Sequence, residues 1–300
     1  MNRDRRTRAP SGDPVELTVL LGLLARFGIR PKRSMGQNFL IDARARDRIV
    51  EIAEVAQGER MLEIGAGVGT LTLALAAGGA QLTTVELDRQ CHRALEEVMA
   101  GQPGVRTLLA DVIGIDLEGL FPGGGELIIG NIPYQISNRL LAQLLISKHR
   151  PSRLVLMVQK EVAERWTAAQ GRWSMPTLLI NMVGSAEICE FLPARSFHPQ
   201  PQVESAIVRI RMTEPQFEPE HARALLDFAG SVFRFKRKQL RNTLVAQLGV
   251  PGGVADDMIS TTGCSGSSRP EQLRLQQWLM LFQLWRRWKP TDPASARPDW

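Results

Sequence analysis

Between Gly58 and Val158 the sequence returns again and again to one unit: a short apolar run, a polar or glycine residue at its end, then a stretch of helical character. Such alternation constrains the fold strongly. Parallel strands need a crossover, and the crossover helix packs back on the sheet it leaves. Residues 60–64, 81–85, 105–110, 126–129 and 153–158 read as strands, and 70–77, 88–99 and 135–147 as helices between them, which predicts an α/β fold with helices on both faces. Residues 186–191 and 203–211 read as two more strands, joined by the Pro-rich stretch 193–201, and would add an antiparallel edge. Beyond Thr213-Glu214-Pro215 the pattern is helical only, over 221–235, 237–248 and 270–288. The expected organisation is a flexible basic arm over 1–13, an α/β domain over 14–212, a smaller all-helical domain over 213–290 and a flexible tail over 291–300.

Candidate chemistry lies where the apolar runs stop. Glu63-Ile64-Gly65-Ala66-Gly67-Val68-Gly69-Thr70 puts a glycine-rich turn between the first strand and its helix, which lets the backbone pass close to a ligand. Nucleotide, flavin and methyl-donor sites share such a turn; a phosphate loop is excluded because no GKS or GKT follows. Glu86 ends the second strand, where a carboxylate accepts from the ribose hydroxyls of NAD or S-adenosylmethionine. Asp111 ends the third, in reach of an adenine amino group of the donor. Asn131-Ile132-Pro133-Tyr134 ends the fourth, and suits a site that methylates a planar exocyclic amine. The Asn131 side-chain carbonyl and the Ile132 peptide carbonyl, held by Pro133, would accept both N–H groups of an adenine amine. Tyr134, the single tyrosine of 300 residues, would stack on the base.

Charge narrows the partners. A net charge of +6 and a pI near 9.7 are compatible with a polyanion. Arg234, Lys236, Arg237, Lys238 and Arg241 crowd five cations into one short segment, a candidate phosphate contact. Trp278, Phe282, Trp285 and Trp288 recur at helical spacing and read as core. Cys91, Cys189 and Cys264 form no CxxC pair and no ligand cluster, so no metal is expected and a reducing compartment is. No apolar run approaches the roughly 18 residues of a membrane span. The arginines of the first ten residues fit no targeting class, because Asp4 and Asp13 interrupt them and no apolar run follows.

Taken together, these motifs resemble the KsgA family of rRNA adenine N6,N6-dimethyltransferases. The likeness runs from Lys32-Arg33-Ser34-Met35-Gly36-Gln37-Asn38-Phe39-Leu40-Ile41-Asp42 through the glycine turn, Val85-Glu86-Leu87-Asp88, Ala110-Asp111 and Gly130 to Tyr134. It continues through Gln159-Lys160-Glu161-Val162-Ala163, Phe197-His198-Pro199-Gln200-Pro201-Gln202-Val203-Glu204-Ser205, residues 237–244 and Arg269-Pro270-Glu271-Gln272-Leu273. The resemblance implies a Rossmann-like class I methyltransferase sheet. It also implies S-adenosyl-L-methionine as donor, S-adenosylhomocysteine as product, and Asn38, Leu40, Gly65, Glu86, Asp111 and Asn131 as donor contacts. Asn131, Ile132, Pro133 and Tyr134 would hold the target adenine, with Phe197 as a second stacking face. Ile132 stands where the family usually has leucine, and Gln202 where it often has lysine.

The expected activity is dimethylation of two adjacent adenines in a 3′-terminal hairpin loop of small-subunit (16S) rRNA, in a pre-ribosomal particle, by a cytoplasmic monomer. The alternatives are a large-subunit rRNA adenine methyltransferase of the antibiotic-resistance type and a mainly non-catalytic RNA-binding assembly factor.

Overall fold

The computed structural model describes residues 12–32, 35–146, 150–217, 221–235 and 237–288, and the side chains of Tyr134, Gln135 and Ile146 fall outside that description. Helix α1 (Leu17–Phe27) is followed by a two-residue strand, β1 (Phe39–Leu40), and by α2 (Ala43–Ala53). The alternation then runs β2 (Arg60–Ile64), α3 (Thr70–Ala77), β3 (Gln81–Glu86), α4 (Arg89–Val98), β4 (Val105–Leu109), α5 (Leu117–Leu120), β5 (Leu127–Asn131), α6 (Tyr134–Ile146) and β6 (Arg153–Gln159). Helices α7 (Lys160–Trp166) and α8 (Met175–Val183) precede β7 (Gly184–Leu192), a two-residue β8 (Phe197–His198) and β9 (Ser205–Met212). The chain continues through α9 (Ala222–Phe233), α10 (Leu240–Leu248), α11 (Gly252–Thr261) and α12 (Leu275–Trp288). Among the described residues no helix is long and apolar enough to cross a membrane.

One sheet of seven strands has the order β4-β3-β2-β5-β6-β9-β7. Strands β4 to β6 run parallel, and β9 lies antiparallel between β6 and β7, the edge expected from the sequence. The central strands are buried on both faces, as unbroken apolar runs require: Met61, Leu62, Leu127, Ile128 and Ile129 expose nothing. From β2 the chain winds outward to β3 and β4, then returns to place β5 on the other side of β2. That reversal opens a crevice at the carboxyl ends of β2 and β5. Gly130, at the end of β5, lies so close to the Ile64 carbonyl of β2 that any Cβ would be driven into it. The same place in the sheet therefore sets the crevice and forbids a side chain there.

The chain forms two compact units. The first holds the described residues up to Thr167 together with Val183–Glu214, and the second holds Ala168–Met182 together with the described residues from Pro215. Where the sequence suggested one boundary near residue 213, the chain therefore crosses between units at Thr167, Val183 and Glu214. The physical reason lies in residues 168–182: Leu178, Leu179, Ile180 and Met182 of α8 are buried, and backbone bonds join the segment to later residues (the Trp173 N–H, ahead of α8, donates to Glu271 at 3.4 Å, and the Gln216 N–H donates to Met182 at 2.9 Å). In this second unit Phe228 packs against Trp278, Phe282 and Trp285 at 6.0, 5.6 and 5.1 Å between ring centroids, and Phe233 stacks on Trp278 at 4.9 Å. Trp278, Phe282 and Trp285 of the aromatic stripe are core, as its spacing indicated, whereas Trp288 is only half-buried. Of the flexible arm and tail expected over 1–13 and 291–300, nearly all lies outside the described residues. Asp13 does not, and it is tied down by Arg46 of α2.

Candidate active site

The glycine turn leaves β2 with Gly65, Gly67 and Gly69 at φ of +74°, +59° and +95°, a left-handed backbone that side chains disfavour. Space is short as well: a Cβ on Gly65 would stand 3.1 Å from the Asn131 carbonyl, and one on Gly67 3.2 Å from the Phe39 ring. The turn is held from two sides. Beneath it, Glu63 is 1% exposed and accepts the Thr72 hydroxyl at 2.6 Å, which joins β2 to α3 across the turn. Burial pushes the Glu63 carboxyl up to about 7. Beside it, Glu86 at the end of β3 accepts the Gly67 N–H on Oε2 and the Asp88 N–H on Oε1, both at 2.8 Å. Burial raises the Glu86 pKa, and those two backbone bonds oppose the rise. Each carboxylate oxygen keeps a further lone pair, so Glu86 can still accept from a ligand hydroxyl.

Asp88 caps α4 by accepting the Gln90 and Cys91 N–H groups at 2.8 and 3.2 Å, and its other oxygen takes the Lys32 ammonium at 2.6 Å. Lys32 leads the segment 35–39, which lies along the crevice and ends in β1. There Phe39 and Leu40 pair antiparallel with His198 and Phe197. On the far side, Asp111 is exposed just past β4 and accepts the Ile113 N–H at 2.9 Å. Asn131 ends β5, and its Nδ2 donates to the Asn38 carbonyl at 3.2 Å. Because that carbonyl is acceptor-only, it fixes the amide and turns the Asn131 Oδ1 away from it, free to accept.

Two cavities result. The first, of 250 Å³, has Asn38, Gly65, Gly67, Glu86, Asp111 and Asn131 in its wall. The second, of 360 Å³, is bounded by Asn38, Asn131, Ile132, Pro133, Phe197 and the loop 199–203. Asn38, Asn131 and Pro133 line both, so the cavities meet at the end of β5. Glycines whose Cβ would fill the first cavity, and a buried carboxylate with accepting capacity, fit a nucleoside-bearing donor there.

Some expected residues stand elsewhere. The Leu40 side chain sits in the core at 5% exposure and lines neither cavity. Phe197 borders the second cavity but is 3% exposed and packed in the same core cluster, so its ring is a wall and not an open stacking face. The Tyr134 side chain lies outside the described residues. Arg241 is engaged by Asp256 at 2.7 and 3.1 Å, an exposed pair that ties α10 to α11. Arg234, Arg237 and Lys238 are exposed, on the turn between α9 and α10 and not on a helix as the sequence suggested, because α10 begins only at Leu240. Lys236 lies outside the described residues. Sequence reasoning passed over Glu63, Lys32 and Asp88 as functional residues. The acidic first position of the turn and the Asp two residues after Glu86 were the signals for two of them; Lys32 offered none.

A family model described as "Ribosomal RNA adenine dimethylase" matches residues 28–286. The chain belongs to that family. It is an S-adenosylmethionine-dependent rRNA adenine dimethyltransferase on the class I methyltransferase fold. Among its relatives, a "Ribosomal RNA small subunit methyltransferase A" of Phenylobacterium zucineum is 33% identical, over 94% of this chain and 97% of its own length. One of the same name from Deinococcus radiodurans is 35% identical over 89% of both chains. Among solved structures, the 23S rRNA methyltransferase ErmE is 28% identical with a TM-score of 0.65, over 83% of this chain and all of its own. A Plasmodium falciparum dimethyladenosine transferase, 23% identical with a TM-score of 0.70, covers 83% of this chain and 98% of its own and shares the fold.

Proposed function

We propose that this member of the dimethylase family methylates N6 of two adjacent adenines in a 3′-terminal hairpin loop of small-subunit (16S) rRNA. It acts within a pre-ribosomal particle, as a cytoplasmic monomer. The observation that carries the reading is the meeting of the two cavities at Asn131–Pro133. In this assignment Asn38, Gly65, Glu86, Asp111 and Asn131 hold the donor in the first cavity, with Glu86 accepting from ribose hydroxyls and Asp111 facing the adenine edge. When bound, the donor supplies an activated sulfonium methyl group, so the protein need not generate a strong nucleophile.

The protein's own task is to position the target amine. Asn131 Oδ1, aimed by the bond from its Nδ2 to Asn38, accepts one N–H of that amine, and the Ile132 carbonyl accepts the other. Two acceptors draw both protons to one side and direct the nitrogen lone pair at the methyl carbon. Ile132 is 4% exposed and its N–H donates to Met157 of β6 at 3.0 Å, so the acceptor is fixed to the sheet. Catalysis of this kind is positional and electrostatic, with no general base. Tyr134 stacks on the flipped base, and Pro133 holds the turn. The second cavity, the larger of the two, leaves space beside the amine for the first product methyl group.

Replacing Asn131 with Ala should lower kcat on undermethylated small subunits by about 10²–10³-fold, as loss of one positioned polar group does elsewhere. S-adenosylhomocysteine binding should persist. Wild-type turnover in that variant would sink the assignment. The likeness to ErmE favours large-subunit rRNA as a second reading. Primer extension on both rRNAs from a deletion strain separates the two.

A further inference from the structure

The α9–α10 turn carries a residue that the dimethylation reading does not use. Phe235 is 40% exposed, with Arg234 before it and Arg237 and Lys238 after it, all exposed. Its neighbour two residues earlier behaves in the opposite way: Phe233 closes α9 and stacks on Trp278 in the aromatic core. The turn is pinned rather than loose. The Arg234 N–H donates to Gly230 at 3.0 Å, the Lys238 N–H to the Phe235 carbonyl at 2.8 Å, and the Leu240 N–H to Ser268 at 2.8 Å.

A single exposed apolar side chain needs no explanation in a folded protein. What sets Phe235 apart is its company. From residue 228 to residue 255 the sequence has no Asp or Glu. Arg241, the next cation, is neutralised by Asp256, whereas among the described residues Arg234, Arg237 and Lys238 have no ion-pair partner. An aromatic ring held on a pinned turn between unpaired cations is the combination that receives unpaired nucleotides: bases stack on the ring and the backbone phosphates meet the cations.

We propose that Phe235 is a base-stacking site for an unpaired nucleotide of the rRNA substrate, flanked by phosphate contacts from Arg234, Arg237 and Lys238. The proposal rests on the reading of this chain as an enzyme of structured rRNA. It adds to that reading a nucleotide contact outside the catalytic cavities and apart from the cations. A π-face attracts a base whatever its sequence, so the site selects for an unstacked nucleotide rather than for a particular base.

The two kinds of contact differ in their response to salt, and that difference gives the test. Binding of the full-length protein to small ribosomal subunits lacking the methyl marks would be measured by fluorescence anisotropy over a range of potassium chloride concentrations. Phe235→Ala should weaken binding by about tenfold, within the range expected for one stacked base. The slope of log K against log salt should not change. Arg237→Ala and Lys238→Ala should each flatten that slope by about 0.7–0.9, the contribution of one phosphate contact. Phe235→Trp should bind as the wild type does, and Phe235→Leu should show most of the alanine loss, because it keeps apolar bulk without a π-face.

Wild-type affinity in Phe235→Ala or in Phe235→Leu would overturn the proposal. So would a loss accompanied by a lower melting temperature or a flatter salt slope, which would make the ring a support of the turn alone. Methylation of the same particles by the wild-type protein tests the underlying functional reading separately, so the two failures are distinguishable.

Discussion

Glu63 is a carboxyl group with almost no water around it, and its neighbours do not include a cation that would compensate. Burial raises its pKa to about 7 from an ordinary carboxylate value of 4.5, so between those pH values the folded protein holds a proton that the unfolded chain has released. Stability therefore falls as pH rises through that window, and the full cost is present above it. Glu63→Gln keeps the Thr72 bond and removes the titration. Its melting temperature should lie above the wild type's at pH 8–9 and converge with it near pH 5; parallel curves would show that Glu63 does not titrate there. Residues of this kind were only half legible. Glu86, Asp111 and Asn131 stand out in the sequence because a polar residue that ends an apolar run is an anomaly with a defined location. The burial of Phe197 and the capture of Arg241 by Asp256 depend on which distant segments fold against them, and nothing local announces either.

At the scale of elements, the segment 35–39 is fastened at both ends: through β1 to β8, and through Lys32 to Asp88, whose N–H in turn orients Glu86. The Lys32 side chain is half exposed, so screening leaves the ion pair itself little direct value to folding. Its effect should fall on the crevice instead. Lys32→Met should raise the dissociation constant for S-adenosylhomocysteine severalfold, read by calorimetry, with little change in kcat at saturating donor and with recovery in Lys32→Arg. Equal affinity in Lys32→Met would remove this role. The strands of the sheet were readable because each is an apolar run bounded by turn residues. Strands β1 and β8 were not, since two residues carry no periodicity, and yet they bring Asn38 to Asn131.

For the whole molecule, the triple crossing between units matters more than their sizes. A fragment ending at residue 214 would keep every strand of the sheet, but it would also keep Ala168–Met182 without the unit that buries it. Leu178, Leu179, Ile180 and Met182 would then meet water, and such a patch promotes association. The fragment should therefore aggregate or bind a hydrophobic dye. Replacing residues 168–182 with a short glycine-serine linker should restore a soluble fragment that binds S-adenosylhomocysteine. A well-behaved fragment without that replacement would mean that α8 is content alone. Sequence reading placed a single boundary because an apolar helix looks the same whichever body it joins.

The same connectivity sets the order of events while the chain is being made. Helix α8 leaves the exit tunnel before β7 and β9, and long before α12. At about 5–20 residues per second, the nascent segment 168–182 must wait roughly 5–20 s before Glu271, which accepts the Trp173 N–H, has been made. Throughout that interval its apolar side chains are uncovered, which makes this helix a stretch for a holding chaperone to cover.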